Sequence, residues 1–333
     1  MDFTRHTLSQ TILYFILLLT VFWSKELFFG ANIADVAGDE GLMPLAFEVI
    51  GWLDSIASVP VALSIGLLFV NSFFLTRIVV RNIVFLDKTY LPSLLFLIIC
   101  SVDTAIQMHY ISQIVVFLLL CTIENIFKVY KRRNAVRQYF MGAFFVGIAA
   151  LLFLPASLFF LSLFVNLILF HRFVWREWLV SLLGFLTPLF FYSYIYWCID
   201  GNFWVLASEI PAVFDGMFLK RSLDITKIDI QGLIFIVLTI GLVGYAYVQF
   251  LMVRNRIRSR MARSYAYFLW FLLFCLVILI CCFNTFDTLF PIMAIPLSVM
   301  ISILFKQAEN KIVASALFLS FVISALFANL YVG

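Results

Sequence analysis

The chain has 333 residues, 65% of them hydrophobic and only 12% charged, with a mean hydropathy of +1.11. A soluble domain carries about a quarter of its residues as charge, so no soluble enzyme or binding domain of ordinary size can be cut from it. The net charge of +4 collects in the connections between apolar runs, which is a membrane-topology signal and not the footprint of a nucleic-acid binder.

Apolar runs close to the length of a bilayer crossing recur from end to end. The first, 11–29, follows a weakly charged start without a small-x-small cleavage site, and reads as a retained signal-anchor helix. Next comes a polar island, residues 30–58, GANIADVAGDEGLMPLAFEVIGWLDSIAS. It holds Asp35, Asp39, Glu40, Glu48 and Asp54 and no Lys, Arg or His. Pro44 suits the first turn of a helix. After it Leu45, Val49, Trp52 and Ile56 recur at helical spacing, with Glu48, Gly51, Ser55 and Ser58 opposite. The pattern predicts a helix in the headgroup plane, anchored by Trp52. Asp39-Glu40, flanked by Gly38 and Gly41, has the backbone freedom to approach a substrate. A carboxylate at that depth can serve as a general base or help hold a divalent metal. The same residues also read as a solvated acidic turn capping the helix.

Further spans are expected at 59–76, 90–107, 112–130, 139–154, 156–171 and 178–198. Glu124 precedes Lys128 by one turn, which predicts an ion pair within that helix. Trp175-Arg176-Glu177-Trp178 reads as an interfacial anchor. The second long polar segment, 199–229, mixes Phe203 and Trp204 with acids and with Lys220, Arg221 and Lys227. The Lys220-Arg221 pair suits a lipid phosphate or pyrophosphate, or offsets the neighbouring acids. The last spans are expected at 230–252, 266–283, 288–305 and 312–331. Asp287 stands at the mouth of two of them.

Charge sets the orientation. With the N-terminus in the cytoplasm, 18 of the 22 Lys and Arg residues fall inside and the C-terminus ends outside. Thirteen of the 18 acidic residues fall outside, so the outer face is the expected working face. The six Cys and three His show no metal-ligand spacing, and no metal site is assigned to them. Phosphate-cradling glycine loops and nucleophile motifs are absent from the sequence, which leaves ATPase and hydrolase readings without support. The expected fold is all-α: a polytopic bundle of about eleven transmembrane helices forming one integral domain over 1–333.

Two resemblances follow. Asp39 and Glu40, then the amphipathic 42–58, then the second span resemble the architecture of GT-C membrane glycosyltransferases. That resemblance implies a polyprenyl-phosphate-linked sugar donor used at the extracytoplasmic face, with Asp39 or Glu40 as the catalytic carboxylate. Lys220 and Arg221 would then hold the donor phosphate. The stretch Tyr139–Trp197, with GAFFVGIAALLFLPASLFFLSLF and FVWREWLVSLLGFLTPLFFY, resembles an uncharacterised family of bacterial inner-membrane proteins, a domain of unknown function. DTLFPIMAIPLSVMISILF near the C-terminus is similar to its late spans. That resemblance implies a bacterial cytoplasmic-membrane location, with membrane lipids, a lipid-linked sugar or a membrane-protein partner as contacts. Two alternatives stand beside the enzyme. One is a non-catalytic scaffold or assembly partner for envelope biogenesis or secretion. The other is a transporter, for which the spans offer only scattered polar groups such as Asn71, Asn125 and Asn166.

Overall fold

The computed structural model describes residues 8–24, 41–53, 59–82, 89–102, 107, 109–130, 135–169, 175–201, 203–219, 230–253, 259–282, 285–307 and 311–331. These form α1 (Leu8–Phe22), α2 (Pro44–Leu53), α3 (Val59–Arg81), α4 (Leu91–Cys100), α5 (Tyr110–Lys128) and α6 (Val136–Leu152). A 3-10 helix (Leu154–Phe159) leads into α7 (Phe160–Leu169), α8 (Trp175–Asp200) and α9 (Val205–Leu219). The chain closes with α10 (Ile230–Val253), α11 (Ser259–Cys281), α12 (Phe286–Gln307) and α13 (Lys311–Tyr331).

The result is an all-α polytopic membrane bundle. Among the described residues seven helices, α3, α5, α8, α10, α11, α12 and α13, are long and apolar enough to cross a bilayer. The other expected spans form shorter apolar helices: α1, α4, α6, and the 3-10 turn with α7. Ten residues of α4 rise only about 15 Å, half of a ~30 Å hydrocarbon core. Its environment explains how so short a helix is tolerated. Nine of its ten residues are buried, against α3, α12 and α1, so protein and not lipid surrounds its ends.

The centre of the bundle is α12, with 89% of its crossing window buried, whereas α13 is only 22% buried and α8 and α10 28%. Those three present their apolar sides to lipid. Buried Ser298 and Ser302 on α12 satisfy their hydroxyls on their own helix, at Ile295 O (3.0 Å) and Val299 O (2.7 Å), so small polar residues sit at the core without a lost hydrogen bond.

Cross-helix contacts fix the directions. Ser64 donates to Gln107 O, Asn71 to Gln113 (2.8 Å to the carbonyl) and Arg81 to Glu124 (3.3 Å). Both numbers in each pair rise together, so α3 and α5 run parallel. Gly184 lies against Phe140, and Gly147 against Phe185 and Pro188, so α6 and α8 are parallel too. Thr122 donates to Gly142 O at 3.0 Å, which joins α5 to α6 near their middles. The chain therefore runs back between each parallel pair, through α4 in one case and through the 3-10 turn and α7 in the other.

These directions sort the charges. The Lys and Arg side chains among the described residues are Arg77, Arg81, Lys128, Arg137, Arg176, Arg263 and Lys306. All lie toward the end where α3 and α5 finish and α6 and α8 begin. Glu124 is held there by Lys128 at 3.0 Å and Arg81 at 3.3 Å, so the ion pair expected from i,i+4 spacing forms and gains a second cation from another helix. The opposite end, where α6 and α8 finish, carries Glu48, Glu209 and Asp287. It is called the acidic end below.

Candidate functional site at the acidic end

Pro155 starts the site. Proline offers no N–H and restricts the residue before it, so α6 stops at Leu152 and Phe153 turns extended (φ −139°, ψ 104°). Backbone groups freed inside an apolar bundle need partners. The first polar island supplies them. Met43 N donates to Leu152 O at 3.1 Å, and Leu154 N donates to Gly41 O at 3.1 Å, forming an isolated antiparallel bridge between Leu42 and Phe153. Gly41 is required for this approach. A Cβ there would fall 2.7 Å from the Phe153 ring and 2.8 Å from Thr285 Cγ2.

Helix α2 begins at Pro44, as the sequence suggests, and docks on the bundle by one side. Leu42, Met43, Ala46 and Ile50 are buried, Leu45, Val49 and Leu53 pack alongside at partial burial, and Trp52 is 76% exposed. Trp52, expected to anchor the helix in the headgroup plane, therefore points away from the bundle. Nearly every residue of PLAFEVIGWL is apolar, so periodicity gives little preference for one face. The bridge at Leu42 makes the choice.

This docking brings Glu48 to the end of α8. Tyr196 Oη donates to Glu48 Oε1, across 148 positions of sequence. Tyr192, one turn earlier, packs its ring on Tyr196 with centroids 4.9 Å apart. The Tyr192 hydroxyl lies beside that of Tyr196 but is buried without completing a well-formed hydrogen bond. The fourth member comes from the second polar segment, which folds as α9 where the sequence suggests only a loop. Glu209 on α9 faces the cluster. Burial, and then the negative charge of Glu48, hold its carboxyl above the usual carboxylate range. Its Oε2 is buried without a hydrogen-bond partner. Two carboxyls and two phenols from three separate segments thus meet at one end of the bundle.

Asp39, Glu40, Lys220 and Arg221, the site residues expected from sequence, lie outside the described residues. Gly41 directly follows Glu40, and Leu219, the last residue of α9, directly precedes Lys220. Sequence reasoning passed over Tyr192, Tyr196 and Glu209. The signal was present in the Tyr pair at i,i+4 near the end of an apolar run, where a phenol seeks a polar partner. What it lacked was any pointer to the partner's position.

Other singled-out polar residues have structural partners. Asn71 donates to Gln113, Asn125 to Cys121 O at 2.9 Å, and Asn166 accepts from Tyr139 Oη at 3.0 Å. Trp178 packs on Phe164 with centroids 4.4 Å apart, while Trp175 is 75% exposed. All six cysteines are free thiols. Among the described residues no three His, Cys, Asp or Glu side chains come together as metal ligands. A second polar knot also forms at this end: Gln107 Nε2 and Asn329 Nδ2 both donate to Ser101 O, at 2.9 and 3.0 Å, and Trp23 Nε1 donates to Ser101 Oγ at 3.2 Å. It ties α1, α4 and α13 together, and leaves Gln107 Oε1 buried without a partner.

Comparison with known protein families, with functionally characterised proteins and with solved structures finds no match for this chain.

Proposed function

We propose that this protein is a GT-C-like glycosyltransferase of the bacterial cytoplasmic membrane. Its eleven apolar runs pass through the bilayer with the basic end in the cytoplasm, by the positive-inside rule. It takes sugar from a polyprenyl-phosphate carrier at the acidic, extracytoplasmic end. One observation carries the reading: both long polar segments send a helix to the same point, where Glu48 of α2 and Glu209 of α9 meet over Tyr192 and Tyr196 of α8. Membrane enzymes acting on lipid-linked substrates need polar chemistry held beside an apolar wall, and this cluster has α8, a lipid-facing helix, as that wall.

In this reading Asp39 or Glu40 withdraws the proton from an acceptor hydroxyl as the sugar's anomeric carbon leaves its phosphate. Lys220 and Arg221 neutralise the departing phosphate. The Gly41 anchor and the α2 dock hold the first segment in place, and the Glu48–Tyr196 bond joins it to α8. The test is Asp39→Asn and Glu40→Gln, singly and together, scored by transfer from a synthetic polyprenyl-phosphate sugar and by the envelope glycan profile. The expected result is loss of transfer at normal protein level. Unchanged glycan in the double variant would overturn the enzyme reading and leave a non-catalytic assembly partner as the better account.

A further inference from the structure

The acidic end leaves acceptors unused. Glu209 Oε2 and the Tyr192 hydroxyl are both buried without a well-formed hydrogen bond; Tyr192 is only 7% exposed. Glu48 lends its Oε1 to Tyr196 and is an exposed residue. The two carboxyls repel each other. A buried acceptor left unmatched costs about 1–3 kcal/mol, so the arrangement favours a ligand that brings several donors and a positive charge together.

We infer that Glu48, Tyr192 and Glu209 form a binding site for a primary ammonium group carried by the acceptor substrate. An ammonium has three N–H donors on one atom, and the cluster offers three acceptor groups from three helices. A hard divalent cation fits less well, because it takes carboxylates, carbonyls and waters rather than neutral phenols, and among the described residues no three His, Cys, Asp or Glu side chains come together. The carrier would be an amino sugar, which places free hydroxyls close to the ammonium and so can serve as acceptor, or an aminophospholipid headgroup, which has no free hydroxyl and would be held as a bound lipid beside the reaction. Naming the ligand as the acceptor rests on the proposed glycosyl transfer; the ammonium site itself does not.

The experiment uses the full chain in nanodiscs of phosphatidylglycerol. It measures binding of glucosamine against N-acetylglucosamine in one arm. In the other it measures uptake of phosphatidylethanolamine against its N-acetylated form by native mass spectrometry. Saturable binding of one amine, weakened about tenfold or more by N-acetylation and by Glu48→Gln or Glu209→Gln, is the expected outcome. The arm that responds names the carrier. Tyr192→Phe should weaken binding by a smaller factor. Equal binding of the amine and its acetylated form, or no binding of either amine, overturns the inference, and this comparison needs only the wild-type chain. Amine-selective binding without sugar transfer would sink the glycosyltransferase reading and keep the ammonium site. Transfer without amine preference would do the reverse.

Discussion

The tightest joint in the bundle, between α6 and α8, gives the sharpest prediction. A methyl placed on Gly184 would sit 2.5 Å from the Phe140 carbonyl oxygen and 3.1 Å from its Cα, about 1 Å inside ordinary contact. A methyl on Gly147 would meet the Phe185 carbonyl oxygen at 2.6 Å and run into the Pro188 ring. Backbone and a proline ring cannot rotate away, so the helices must part. A gap of 0.5–1 Å forfeits roughly a quarter to a half of each contact's attraction, and overpacking of this kind costs about 1–3 kcal/mol. Alanine's better helix propensity returns about 1 kcal/mol. The expected net effect of Gly184→Ala or Gly147→Ala is therefore a loss of up to about 2 kcal/mol. The double variant should lose less than the sum, because one separation relieves both clashes. Gly241 and Gly244 on α10 have nothing within 4 Å of an added Cβ, so the same substitution there should stabilise by up to about 1 kcal/mol. Thermal unfolding in detergent, followed by a thiol dye reaching buried Cys100 and Cys275, reads both signs. The reasoning fails if Gly184→Ala and Gly241→Ala move the midpoint in the same direction, or if the double variant is additive.

Three other outcomes follow from the acidic end. Glu209 has a raised carboxyl pKa, so its contribution to stability is fully present below the ordinary carboxyl value. That contribution is lost as pH rises from there through the raised folded value. Glu209→Gln should flatten that part of the stability–pH curve, and an unchanged curve would count against the burial assigned to Glu209. Tyr196→Phe removes the hydrogen bond to Glu48 at a cost of about 1 kcal/mol, since that carboxylate is exposed. Hydrogen exchange should rise in α2 while the midpoint barely moves; a global loss would mean that the bond holds the bundle and not the segment. Gln107→Leu strips one donor from Ser101 O and leaves Asn329 as the other. A loss of about 0.5–1.5 kcal/mol is expected, visible in the global midpoint, and a neutral result would show the knot to be dispensable.

Much of this molecule can be read locally. Pro44 opens α2 because a first-turn proline gives up an N–H that would have no partner anyway. Pro155 breaks the chain between α6 and α7 because it can neither donate nor continue the ladder. Glu124 meets Lys128 because four residues is one helical turn. The helix in 205–219 was harder to see, because a Pro and a mixture of acids and aromatics give no clean period to follow. The docked face of α2 was hidden for the opposite reason, a helix apolar on nearly every side.

The amino-acid sequence by itself determined the solvent, the helices and the sorting of charge. Each of these depends on composition or on neighbours within a few turns: a lipid interior forces backbone groups into helices, and basic residues gather between the apolar runs. Only the tertiary structure decided which carboxyl meets which phenol. Glu48 and Tyr196 stand 148 positions apart, and they meet because the Leu152 carbonyl, left without a helical partner where α6 ends, accepts from Met43 and so sets where α2 lies. No local pattern carries that register. The same packing settled how α4 could be too short for a bilayer, since helices on its sides stand in for the lipid that it cannot reach across.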